Sequence, residues 1–152
     1  MAPSRASAAC YSCAMKQPRW FAIKAEVPDA RAPRFVFTAQ KTMYDGKRVS
    51  VGDTIFIFAS ENEGGAGLIA RGTVTACEHI PRTAARQTPR ISIAVARNGR
   101  NAQPLGRTQL RAFRGQPAPA PEAELDFKLY RQATNKVIGL SDRTGAFLDA
   151  LF

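Results

Sequence analysis

Between Trp20 and Phe113 several short apolar runs carry strand patterning, and from Glu122 onward the apolar residues take helical spacing. The pivotal stretch runs from Gly52 to Ala76, GDTIFIFASENEGGAGLIARGTVTA. It holds two apolar runs, Ile55 to Phe58 and Leu68 to Val74, separated by a small, polar, glycine-rich segment. That pattern predicts a hairpin whose loop is longer than a minimal turn. Phe56 and Phe58 fall on one face of the first strand and Ile55 and Ile57 on the other. A strand that is apolar on both faces is central to its domain, and a pocket opens most naturally at its polar exit, Ser60 and Asn62.

Upstream, Trp20 to Val27 reads as the first strand, ended by Pro28, with Phe21 and Ile23 on one face and Trp20, Ala22 and Lys24 on the other. Phe35-Val36-Phe37 reads as a short strand or as part of an irregular crossing, and Thr42 to Gly46 as a turn. Downstream, the second strand of the hairpin extends toward Cys77 and Ile80, and Arg90 to Arg97 alternates as a half-buried strand. Asn98-Gly99 predicts a second hairpin, with Leu105 to Phe113 as its return strand. Gln116 to Pro121 is a stiff linker. Glu122 to Thr134 carries a helical stripe of Leu125, Leu129 and Ala133, flanked by Asp126 and Tyr130. Val137 to Leu140 is a short apolar run, and Ser141 or Asp142 caps a last helix with Phe147, Leu148, Leu151 and Phe152 on its apolar face. The sum is a mixed α+β fold, a small barrel of five to six strands with flanking C-terminal helices.

The chain of 152 residues suits one domain, and no apolar run approaches the length that spans a bilayer, so the expectation is a soluble protein with no membrane partner. Residues 1–14 read as a disordered extension, with Met15 as a more economical start and 15–152 as the single domain. The formal charge of +10 is concentrated: between His79 and Gly115 there are eight arginines, no lysine and no acidic residue. Arginine's planar fork suits phosphate, so Arg90, Arg97, Arg100, Arg107, Arg111 and Arg114 are candidates for holding a nucleic-acid backbone. A solvated basic face is the plainer alternative.

The chain contains three cysteines, Cys10, Cys13 and Cys77, an odd number that fits a reducing, cytoplasmic setting better than a disulfide framework. With His79 the sole histidine, the CxxC spacing of Cys10 and Cys13 lacks the further ligands of a zinc site, and no cofactor is suggested. Cys77 and His79 stand two apart, a poor spacing for a nucleophile and its base. The loop carboxylates Glu61 and Glu63 leave open an enzyme acting on RNA or nucleotides, although carboxylates in such loops are more often solvated. Trp20, Tyr44, Phe56 and Phe58 offer stacking surfaces, although Phe56 suits the core better than a cage, and Ser60 and Asn62 could read a base edge.

Four segments, in order, resemble the EVE domain, a member of the PUA-like superfamily related to the YTH and ASCH domains. Phe21-Ala-Ile-Lys24-Ala-Glu26 is similar to a WLLKSEP-like first strand, and Thr42-Met-Tyr44-Asp45-Gly46-Lys-Arg48 to a TWDGVRN-like turn. Gly52 to Ser60 is similar to GDLVLFYHS, and Gly67 to Val74 to GIVGIAEV. The chain departs from the family at Tyr44 for tryptophan, Ala59 for histidine and Ala25 for serine. The resemblance implies a PUA-like pseudo-barrel, not an enzyme, that binds DNA or RNA by holding a flipped, modified base in an aromatic-walled pocket. It implies Tyr44 as the stacking wall, Ser60 and Asn62 as edge contacts and Lys24 near the mouth; Trp20 and Phe58 complete the expected pocket. A protein-interaction module with a basic face is a further alternative.

Overall fold

The computed structural model describes residues 19–82, 88–101, 103–116, 120–132 and 134–152. The expected 1–14 extension and the Cys10–Cys13 pair lie outside the described residues. Six strands close a barrel: β1 (Trp20–Ala25), β2 (Arg34–Met43), β3 (Thr54–Ala59), β4 (Gly67–Ile80), β5 (Arg90–Arg100) and β6 (Lys136–Leu140). Around the barrel the order is β1, β3, β4, β5, β2, β6 and back to β1. The pairs β1–β3 and β2–β6 are parallel and the other four antiparallel, which makes the barrel mixed. Among the described residues three short α-helices accompany it: α1 (Arg107–Arg111), α2 (Pro121–Leu125), which runs on into a π turn at Asp126–Tyr130, and α3 (Asp142–Asp149). Among the described residues no helix is long and apolar enough to cross a membrane.

The two-faced pattern of β3 has a direct structural meaning, because each face enters a different core. Ile55 and Ile57 point into the barrel with Phe21, Ile23, Phe37, Ile93 and Val95. Phe56 and Phe58 point outward, where Leu110, Leu125, Leu129 and Leu148 of the helices cover them. All four β3 side chains are fully buried, each worth about 1.5–3 kcal/mol of burial. The register Trp20 opposite Thr54 through Ala25 opposite Ala59 brings the carboxyl ends of β1 and β3 level with each other.

Two expected elements are corrected. Asn98-Gly99 is not a turn: Gly99 pairs with Arg71 and Arg100 with Ala70, because β4 is 14 residues long and keeps the ladder going past the dipeptide. The Asn98 side chain is used in that ladder, its amide donating to the Thr73 hydroxyl at 2.8 Å and its carbonyl accepting from Arg71 Nε at 2.9 Å. The proposed return strand from Leu105 is instead α1, of which only Leu105 makes a strand-like bridge, to Gly67. Two capping contacts start that helix: Gln109 Oε1 accepts from the Gly106 N–H at 2.9 Å and Glu61 Oε2 from the Arg107 N–H at 2.7 Å. The crossing after Pro28 holds a ten-residue strand, β2, whose register shifts between Phe37 and Gln40 at Ala39, where φ is 53°. The helix expected over 122–134 ends as the π turn at Tyr130, and the short apolar run that follows is β6. Ser141 caps α3, its hydroxyl accepting from the Thr144 N–H at 3.3 Å.

Candidate functional site

The carboxyl ends of the parallel pair β1–β3 carry the polar groups singled out by sequence. The Ser60 N–H donates to Ala25 O at 2.8 Å, which continues the ladder one residue past β3. By strand alternation the Ser60 side chain therefore shares the helix-covered face with Phe58, and Lys24 shares it too as Phe58's partner across the ladder. Glu61–Glu63 then forms one 3-10 turn, and Gly65 N–H closes it on Ser60 O at 2.8 Å. A Cβ at Gly65 would lie 2.5 Å from the Ala59 backbone, so only glycine permits this tight reversal.

Glu61 is the hub of the cluster. Both its oxygens accept from the Tyr130 hydroxyl, at 3.1 and 3.2 Å, while Oε2 also takes the Arg107 N–H. Gly106 makes room for that carboxylate, since a Cβ there would stand 2.4 Å from Oε2. The Arg107 guanidinium donates to Asn62 Oδ1 at 2.9 Å, and Asn135 donates to Glu63 Oε1 at 3.0 Å. Thus the loop after β3 is bonded to α1, to the π turn and to the start of β6. Both carboxylates serve as structural anchors, an arrangement that gives no support to Glu61 or Glu63 as a catalytic base.

Two lysines are buried beside this hub. Lys24, 2% exposed, has its ammonium 5.2 Å from the Tyr130 ring centre. Burial lowers its pKa and Glu61 opposes that shift. Lys136 stands opposite Lys24 in the β1–β6 ladder and donates to the carbonyls of Leu129, Gln132 and Thr134 at the end of the π turn. Burial and the neighbouring Lys24 charge bring its pKa down to about 8. The Tyr130 hydroxyl is pushed well up, by burial first and then by Glu61. Amid these satisfied groups, the Ser60 hydroxyl is 1% exposed and has no hydrogen-bond partner. It is the sole such buried side-chain atom among the described residues.

The remaining pocket residues are placed elsewhere. Trp20 is no free platform: its ring stacks on Phe56 at 6.0 Å and is covered by Gly145 of α3, where a Cβ would stand 2.1 Å from Trp20 Cγ. Phe58 is fully buried under the helices. Both belong to the outer core because the helices need that face of β1 and β3 for packing. Asn62 is exposed and tied to Arg107. Tyr44, 36% exposed, sits where the Gly139 N–H donates to its carbonyl at 2.9 Å, and Gly139 pairs with Phe21. Ser60 lies one residue beyond Ala25, so the two levels differ by at least four residues of β1, about 13 Å along the strand. Tyr44 and Ser60 therefore do not wall one pocket. The ring of Tyr44 instead meets Phe127 at 5.9 Å with a 57° tilt, and Lys128 lies over it at 5.6 Å.

The arginines are dispersed for the same kind of reason. Arg90 and Arg100 end β5, ten residues apart, which is about 33 Å of strand. Arg97 is committed to structure: it donates to the carbonyls of Ala30, Ala32 and Ile69 and lies over the Phe35 ring at 5.2 Å, pinning the segment before β2 to the barrel. Arg90 donates to Ala39 O, and Arg114 pairs through two nitrogens with buried Asp126. Arg107 is bound to the hub, whereas Arg100 and Arg111 are exposed. The sequence reading missed the hub partners Tyr130 and Lys136; Tyr130 flanked the helical stripe, but nothing in the sequence signalled a carboxylate 69 residues away.

No known family model matches the chain, and no curated protein matches it. Among solved structures, the fold is similar to a Pseudomonas putida protein known from its X-ray crystal structure, with a TM-score of 0.53 and 16% identity over 87% of this chain and 98% of that one. It is also similar to a hypothetical protein from Leishmania major, with a TM-score of 0.53 and 14% identity over 90% of this chain and 95% of the other. At these identities the likeness is one of fold, and it extends over nearly the full length of both relatives.

Proposed function

We propose that the barrel is a PUA-like pseudo-barrel of the EVE type and that it binds nucleic acid by accommodating one extruded, modified base at the carboxyl ends of β1 and β3. The observation that carries this reading is the Ser60 hydroxyl, buried and without a partner beside the Lys24–Tyr130–Glu61 cluster. Buried polar groups in folded proteins are almost always satisfied, so an orphan at a strand exit points to a polar atom brought by a ligand. A base edge supplies such an atom, and Lys24 and Asn62 stand on the same loop and strand ends to read the rest of that edge. Flipping costs a few kcal/mol, which edge contacts and burial must recover. Of the six candidate arginines, exposed Arg100 and Arg111 are the ones left to meet phosphates, in place of Arg97.

The test is binding of the full chain to matched single- and double-stranded oligonucleotides, with and without methylated cytosine or adenine, over a salt series. Preference for one modified base that persists as salt rises supports the reading. Uniform binding that vanishes with salt reduces the protein to a basic surface and refutes the base pocket.

A further inference from the structure

The π turn presents a second surface, away from the Ser60 end. Phe127 is a large apolar side chain left 50% exposed, and Tyr44 beside it is 36% exposed. Their rings meet at 57°, an open wedge in place of a closed stack. The wedge is held from behind: Lys128, lying over the Tyr44 ring, is itself clamped by Glu124 Oε2 and Gly139 O, each at 2.8 Å. Tyr44 and Asp45 both adopt left-handed backbone, at φ 51° and 67°, a conformation costly for residues other than glycine and common where a side chain is placed for use. The Arg131 guanidinium stands 5.7 Å from the Phe127 ring centre. It makes no ion pair or hydrogen bond with the described residues.

The local charge is decisive for the kind of partner. The acids that line the groove are already paired, Glu124 with Lys128 and Asp126 with Arg114, and Asp45 beside Tyr44 is paired with Arg48, whereas the exposed Arg131 has no ion pair among the described residues. A groove of about 460 Å³ runs beside Phe127 and Arg131, toward Gln116, large enough for a planar ring system. An exposed aromatic face, a planar guanidinium and an unbalanced positive charge together fit an unpaired base with its phosphate. We propose that Phe127 and Arg131, braced by Tyr44, form a stacking platform for a single-stranded nucleotide flanking the base held at Ser60. This rests on the nucleic-acid reading above. The separation of about 13 Å between the Tyr44 and Ser60 levels means that one base cannot serve both places.

The experiment compares the full chain with Phe127→Ala, Phe127→Trp, Arg131→Ala and Ser60→Ala variants. The probes are single-stranded RNA and DNA of roughly ten nucleotides and the corresponding free mononucleotides. Phe127→Ala is expected to weaken oligonucleotide binding about tenfold while leaving mononucleotide binding unchanged, and Phe127→Trp to restore it. Arg131→Ala should weaken binding and reduce the salt slope by about one. Oligonucleotide binding that is insensitive to Phe127→Ala but sensitive to Ser60→Ala overturns the platform and leaves the base site standing. Equal loss for mononucleotide and oligonucleotide in Phe127→Ala also overturns it, since Phe127 would then belong to the base site itself. No binding of any probe by the unaltered chain overturns both.

Discussion

Replacing Ser60 with alanine separates a structural hydroxyl from one held for a ligand. In the folded chain this hydroxyl is 1% exposed and bonded to nothing, so it carries a desolvation cost of about 1–3 kcal/mol that the unfolded chain does not. Alanine removes the oxygen and leaves a void smaller than a methyl group, which returns a few tenths of a kcal/mol at most. The expected net result is stabilisation by about 1 kcal/mol, a rise in Tm of about 2–4 °C for a chain of this size. Urea unfolding and a thermal melt measure it. The same variant should lose about tenfold in affinity for the preferred base, the worth of one good hydrogen bond in a buried site. Destabilisation by 1 kcal/mol or more would show that the hydroxyl is engaged in the free protein, and the reasoning from an orphan group would fail. A stabilised variant with unchanged base preference would leave the orphan standing and refute its role.

Three further outcomes follow from the geometry. Arg97→Ala is expected to cost about 2 kcal/mol of stability, because three carbonyls and the Phe35 ring lose their partner, whereas Arg100→Ala with Arg111→Ala should leave the melt unchanged and lower the salt slope of oligonucleotide binding. Gly145→Ala forces a Cβ to within 2.1 Å of Trp20 Cγ and should destabilise by about 1–3 kcal/mol, with a shift in the fluorescence of this sole tryptophan. Lys136 titrates near pH 8 when folded and near 10.5 when unfolded, so between these values the unfolded chain holds the extra proton and stability rises with pH. Denaturant unfolding at pH 7.5 and pH 9.5 (about the ends of the usable window) should show that rise in the natural chain and a smaller one in Lys136→Met, where the buried Lys24 remains. A flat profile in both would show that the three carbonyls hold the ammonium against burial.

Strand alternation was a strong guide wherever both faces of a segment had a destination. Ile55 to Phe58 announced a central strand, and β3 is shared between two cores. The same logic failed at Asn98-Gly99, whose turn preference is worth less than the continuous ladder offered by the long β4. Leu105 to Phe113 contained no local sign that the Glu61 carboxylate would cap a helix at Arg107. Within the candidate site, Ser60, Asn62 and Lys24 were legible as polar groups at a strand exit. Their separation from Tyr44 was not, because it depends on the parallel register of β1 against β3 and on the pairing of β6, neither of which leaves a mark in local pattern. Trp20 looked available only while the glycine of α3 that covers it was unplaced.

The π turn is what ties the two proposed contact regions together. In a regular α-helix, residues three apart share a face, so Phe127 and Tyr130 would point the same way. The wider winding of the π turn sets them apart: Tyr130 is mostly buried against Lys24 and Glu61, while Phe127 stays half exposed beside Tyr44. Single π turns of this sort are rare and are frequently found at functional sites. The turn is fixed at both ends, by Arg114 on Asp126 and by Lys136 on the carbonyls of Leu129 and Gln132. A change at the Ser60 end that moves Glu61 must therefore pull on Tyr130, and through the backbone of the same π turn on Phe127, three residues earlier. Glu61→Ala should accordingly weaken oligonucleotide binding more than Phe127→Ala does, although Glu61 carries the same sign of charge as the ligand. Stronger binding in Glu61→Ala, as simple removal of a repelling carboxylate would give, would show that the hub does not position the platform.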